Sequence, residues 1–238
     1  PKPHVELAAP VIFHLGGVGI TNTLLSTFIT TLLLLVIFVG GTRKMRLVPR
    51  GLQNFAEWIL ESLYGFVEGV AGARYARTFF PLIATFFVFI AFNAWLALIP
   101  IYQSLGFLDE NGHMGTHMLR SAGTDVNMPL ALALVSFIFV EGWGLRVHGI
   151  GYLREFVRFG GIIDGLRRFS IGGIFQGLID SFVGFLELIS HFVRIVSFTF
   201  RLFGNMTAGE IVLLISAFLI SFVFTLPFYG LELLVGLI

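Results

Sequence analysis

The chain has 238 residues, of which 56% are hydrophobic and 12% charged, with 28 phenylalanines and a formal net charge of +1. So few charges cannot cover the apolar surface of a water-soluble fold of this length, so a bilayer is the simplest solvent for it. The balanced charge gives no reason to expect nucleic acid as a partner, and the absence of cysteine excludes disulfides, thiol chemistry and cysteine metal sites.

The chain opens on Pro1 rather than Met, so a processed or trimmed N-terminus is expected, and the first apolar stretch is too long and too poorly flanked for a signal peptide. A membrane-spanning helix needs about 20 mostly apolar residues. The first such segment, 20–41, is uncharged, and Arg43, Lys44, Arg46 and Arg50 follow it. From 52 to 70, Phe55, Trp58, Ile59, Ser62 and Phe66 recur at helical spacing with Glu57, Glu61 and Glu68 between them. That pattern predicts an amphipathic helix lying on the membrane surface. A second span covers 79–101, a polar loop leads to Asp125, and a third span covers 126–145. Residues 146–168 form a basic, glycine-rich connection. The long segment 172–225 is apolar yet holds Asp180, Glu187, His191, Arg194, Arg201 and Glu210. Pro227 opens a last apolar segment, 227–238, which is too short to cross by itself, so the natural chain is expected to continue past Ile238. The expected fold is all-α: a polytopic membrane protein of about five transmembrane helices plus one amphipathic membrane-surface helix. Residues 1–238 form a single membrane domain in this reading, with no internal repeat and no soluble domain.

Lys and Arg concentrate on the cytoplasmic side of membrane proteins. Four follow the first span and five lie in the connection after the third, whereas Arg120 alone lies between the second and third. The N-terminus and the loop ending at Asp125 are therefore expected outside.

Charged groups inside apolar segments are costly and mark candidate functional positions. With about 100° per residue and Glu187 as reference, Asp180, His191, Arg194, Arg201 and Asn205 fall within about 40°, and Ser190 and Ser197 within about 80°. They form one polar stripe. A buried polar seam between packed helices would explain Asp180, Glu187, His191 and Arg194 equally well. Arg201 is different, because no acid stands three or four residues after it and its guanidinium cannot lose its proton. It calls for a carboxylate from another element or another chain. Glu210 is nine residues on, nearly opposite Arg201 and about 13 Å along the axis of a continuous helix, so the two cannot pair directly. At about 80 Å, 172–225 as one helix far exceeds the hydrocarbon thickness of about 30 Å, so it either leans steeply or makes two spans. A single tilted crossing is expected.

The run Arg201-Leu202-Phe203-Gly204-Asn205-Met206 followed by Ala208-Gly209-Glu210 closely resembles the signature of F-type ATP synthase subunit a, the ATPase subunit 6 family. Phe80-Pro81-Leu82, Asn93 and Leu98-Ile99-Pro100 are similar to that family's first membrane hairpin. Thr124-Asp125-Val126-Asn127 is similar to its motif before the next helix. The resemblance covers nearly the whole chain. It implies a proton-translocating stator subunit that faces a ring of c-subunits, with peripheral-stalk b subunits, other ATP synthase subunits and membrane lipid as partners. It implies two offset half-channels, with Arg201 meeting the ring carboxylates and Asn205 one turn away. Glu210 and Glu232, with Asp125 and Asn127, are implied along the external path. Asp125 is also a suitable N-cap for the third span, and the alternative for Glu232 is an acid near a helix end, wet from the outside. The family's glutamine in the last helix would fall beyond Ile238. The resemblance implies a non-catalytic subunit without a cofactor, in an energy-transducing membrane, with a bacterial plasma membrane as the default. It does not distinguish H⁺ from Na⁺. His14, His113, His117 and His148 have no metal-ligand spacing, and Glu141 reads as a helix contact or snorkelling acid. The alternative is a secondary transporter or stand-alone channel, for which internal repeats or broken helices in matching positions would be expected.

Overall fold

The structure is a computed structural model that describes residues 9–43, 45–99, 102, 106–108, 114–152, 171–219 and 222–237. Most of the basic connection, including Arg154, Arg158, Arg167 and Arg168, lies outside the described residues, as do Lys44 and His113.

Among the described residues, six α-helices carry the fold. In chain order they are α1 (Asn22–Thr42), α2 (Leu52–Ala71), α3 (Ala73–Ala97), α4 (Asn127–His148), α5 (Ile171–Leu219) and α6 (Phe222–Val235). Parts of α1, α3, α4 and α5 are long and apolar enough to cross a membrane, and α6 adds a shorter apolar helix. Two antiparallel hairpins accompany them, β1 (Val11–Leu15) with β2 (Val18–Thr21) and β3 (Gly106–Leu108) with β4 (Met114–His117). Gly16 and Gly17 turn the first hairpin at φ 56° and 90°, the left-handed pair that a tight hairpin turn requires.

The chain divides into two compact units, one made of Pro1–Met128 with Leu202–Ile238 and the other of Pro129–Arg201. In the first unit, α1 begins under Thr21, whose hydroxyl accepts from the Leu24 amide at 3.2 Å. Its burial is the reverse of a water-soluble helix. Asn22, Thr23, Ser26 and Thr30 are buried, while Leu32, Leu35, Val36 and Val39 are exposed. A helix in lipid gains little by hiding leucine, and it packs through small and polar residues that allow close approach and cross-helix hydrogen bonds.

Against α1 lies the amphipathic α2. Its entrance is fixed by Gln53, whose side-chain amide accepts from the Arg46 amide at 3.1 Å and donates to the Arg46 carbonyl at 2.9 Å. Leu63 joins Ala84 and Val88 in a buried cluster, with Leu34, Phe38, Ile59, Phe80 and Phe92 packed around it. Phe55, Trp58 and Phe66 remain exposed, so the apolar arc of α2 is wider than the face that packs. Gly72, at φ 76°, ends α2, and Ala73 begins α3 directly. A side chain with a Cβ would be strained in that backbone. Consequently α3 starts earlier than the apolar pattern indicates, with Arg74 and Arg77 in its first turns.

The long helix α5 has 49 residues and no break. At about 1.5 Å per residue it extends about 74 Å, more than twice the hydrocarbon thickness of about 30 Å. It ends at Leu219 and α6 begins at Phe222, ahead of Pro227, where the sequence placed the break. Pro227 is instead inside α6. Proline is tolerated in helices in lipid, where neighbouring groups re-satisfy the carbonyl it frees.

Candidate functional site

In the first unit a short 3-10 turn, Ala122–Thr124, is held by Asn93 of α3. The Asn93 carbonyl oxygen accepts from the Ser121 hydroxyl at 3.0 Å and from the Ala122 amide at 2.9 Å. Its NH₂ donates to the Thr30 hydroxyl of α1 at 3.0 Å. All of these groups are buried, so each hydrogen bond prevents a costly orphan. Gly123 lets the turn close on Met206 of α5, since a Cβ there would come within 2.7 Å of the methionine Cγ. Asp125 follows. One carboxylate oxygen accepts from the Asn127 amide at 3.1 Å and from its side-chain NH₂ at 3.0 Å. The other accepts from the Thr23 hydroxyl at 3.0 Å. Asp125 therefore caps the start of α4 and ties that start to α1, and Asn127 is held within the same group. Tyr102 pairs with Ser26, and burial pushes its phenol above the ordinary range, partly offset by its bonds to Ser26 and Thr30.

Two carboxylates lie close by. Glu210 of α5 is gripped by Arg120, whose Nε is 3.1 and 3.0 Å from the two carboxylate oxygens and whose Nη2 is 3.0 Å from one of them. Glu232 of α6 is buried, and its carboxyl group fills the space where a side chain on Gly209 would begin. Glu232 thereby lies against the residue that precedes Glu210. Trp95 of α3 donates to the Leu233 carbonyl at 3.4 Å, and Gly236 allows α6 to close on Ala94. Thr207 and Thr225 bury hydroxyls with no partner among the described residues, positions suited to ordered water.

In the second unit, Asp180, Glu187, His191, Arg194 and Arg201 fall on one side of α5 by helical geometry. His191 meets Glu141 of α4 at 2.5 Å, so Glu141 is a helix contact. Gln176 donates to Asp180 at 3.3 Å. Ser190, Arg194, Ser197 and Arg201 are exposed, as is Asn205 in the first unit. No hydrogen bond or ion pair reaches Arg201 among the described residues. Nor do three metal-binding side chains converge anywhere among them.

The structure thus brings Glu210 together with Glu232, and Asp125 with Asn127. Sequence reasoning missed Arg120 as the partner of Glu210, and Gly209 as the seat of Glu232. It also missed the buried polar stripe of α1. That stripe was signalled by Asn22, Ser26 and Thr30 at four-residue spacing in a span without charges. For Arg120, the signal was a lone cation in a loop whose chain holds an unmatched acid in an apolar helix.

Four long apolar helices among the described residues, one of them (α1) with leucine outward and polar groups inward, define an integral, polytopic all-α membrane protein. The chain belongs to the ATP synthase A chain family, which matches residues 24–238. It is 30% identical over 235 residues to a protein of Gloeobacter violaceus named ATP synthase subunit a, covering 98% of this chain and 84% of that one. A protein of the same name from Helicobacter acinonychis is 31% identical over 195 residues, 82% of this chain and 72% of the relative. One from Helicobacter pylori strain Shi470 is 31% identical over 192 residues, 81% and 71% respectively.

Proposed function

We propose that this chain is the proton-translocating stator subunit of the membrane sector of an F-type ATP synthase. It provides two offset half-channels to the carboxylates of a c-subunit ring and couples ion flow to rotation and ATP synthesis. One observation carries this: Arg201 stands on an exposed face of α5, and no described residue pairs with it. A guanidinium stays charged, and leaving it unmatched in lipid is expensive. A carboxylate on a neighbouring subunit removes that cost. The names of the relatives support the same assignment.

As a ring carboxylate passes, the fixed cation favours its ionised form. A proton has no easy route past that charge, so it must travel with the ring. Asn205, one turn away, offers a neutral hydrogen-bonding group beside Arg201. Glu210, Glu232, Asp125 and Asn127 belong to the external path, and Glu187, Ser190, His191, Arg194 and Ser197 extend the polar face toward the other end of α5. The partners are the c-ring, the peripheral-stalk b subunits, other ATP synthase subunits and lipid. Bond chemistry is left to other chains, and no cofactor is needed. The uneven distribution of Lys and Arg supports an external N-terminus in a bacterial plasma membrane. In this reading residues 1–238 form one membrane domain.

The test is Arg201→Ala in the assembled complex. ATP-driven acidification of vesicles and coupled ATP synthesis should both be lost while the subunits still co-purify. Acidification at the normal rate in that variant would remove Arg201 from the mechanism.

A further inference from the structure

The cluster around α6 contains a cation to which translocation, as set out above, gives no role. Arg120 lies immediately before the turn that Asn93 holds, so its backbone is anchored through buried hydrogen bonds at Ser121 and Ala122. Its side chain is 10% exposed and that of Glu210 26%. Three contacts between 3.0 and 3.1 Å join the guanidinium to the carboxylate. Arg120, just before the turn, forms an ion pair with Glu210, and the Glu232 carboxyl group of α6 lies against Gly209, the residue that precedes Glu210. Glu232 is placed quite differently. No side-chain hydrogen bond or ion pair reaches it among the described residues, and its carboxyl group rests on the bare backbone of Gly209.

Two neighbouring carboxylates with equal surroundings would share the work of titration. Here the surroundings are unequal. The guanidinium keeps its charge at every accessible pH, and a fork-shaped grip fixes the anion's position as well as its charge. We propose that Arg120 is a positioning residue that pins Glu210 as a standing anion and thereby leaves the proton-carrying role in this part of the path to Glu232. The inference rests on the translocation function proposed above. In it, Glu210 supplies a constant negative charge beside Glu232, which draws protons toward the buried acid without binding them itself.

The experiment uses the whole complex in vesicles and records ATP-driven acidification across a pH series. Removing a cation beside carboxylates makes them ionise at higher pH. Arg120→Gln should therefore move the acid limb of the profile to higher pH by about one unit. Arg120→Lys, which keeps the charge but loses the fork, should move it much less. A merely structural Arg120 would lower the rate equally at all pH values and leave the midpoint in place, and that outcome overturns the proposal. If Arg120→Gln fails to assemble, Glu210→Gln is added to it. Assembly should return, because an orphaned anion is the damage done by the single change; no recovery overturns the pairing. Arg201→Ala separates the two levels. Loss of pumping in that variant together with an unmoved profile in Arg120→Gln defeats only the role of Arg120, whereas pumping that survives Arg201→Ala defeats the underlying function.

Discussion

Gly209 has no side chain, and the carboxyl group of Glu232 occupies the space where one would start. A methyl group there must push aside the end of a flexible side chain rather than backbone, so the helices need not separate. Alanine is also the better helix former by about 1 kcal/mol. Gly209→Ala should therefore leave the thermal stability of the complex unchanged or slightly higher while slowing ATP-driven proton pumping. If pumping proceeds at the parental rate, the position of the Glu232 carboxyl group does not matter to translocation. This coupling was invisible in the sequence for a physical reason. Gly209 and Glu232 could each be picked out, one inside a recognisable run and the other as an acid in an apolar segment. Their contact depends on how α6 lies against α5, and no periodicity encodes that. Arg201 is the opposite case. Its isolation from acids could be read locally, because three- and four-residue spacings define what a helical side chain can reach by itself.

Among the elements, Asn93 joins three pieces of chain: α1 through Thr30, α3 through its own backbone, and the turn through Ser121 and Ala122. Asn93→Leu would leave the Ser121 hydroxyl and the Ala122 amide without their partner and take from Thr30 one of its contacts. Each buried orphan costs about 1–3 kcal/mol. Faster hydrogen exchange at the Ala122 amide, with helical content retained, is the expected result. Unchanged protection at Ala122 would show that the turn is held by something else. The helices themselves were largely legible, because crossing a bilayer imposes a length and a composition that a single window can detect. Boundaries set by backbone geometry were not. The start of α3 is set by the positive φ of Gly72, and its first turns carry Arg74 and Arg77, which an apolar window passes over. The hairpin of β1 and β2 was signalled by Gly16-Gly17 between apolar residues, a pattern too short to register among segments selected for span length.

For the molecule as a whole, the proposed function makes the exposed Arg201 and the neighbouring carboxylates Glu210 and Glu232 parts of a conductor that needs a partner to close the path. Purified chain reconstituted alone should pass little proton current, whereas the assembled complex should pump on ATP. Robust flux through the lone chain would favour a channel or secondary transporter instead. The inverted packing of α1 has a practical corollary. Its Asn, Thr and Ser side chains keep their neighbours only while solvent is kept out, because water offers the same groups equally good alternatives. Harsh, short-chain detergents that wet the interior would thus loosen the Thr23, Ser26 and Thr30 contacts before any helix unwinds. Preparations of this kind would look intact by circular dichroism yet have lost the arrangement that seats Arg120, so gentle extraction with native lipid is a condition for function rather than a convenience of handling.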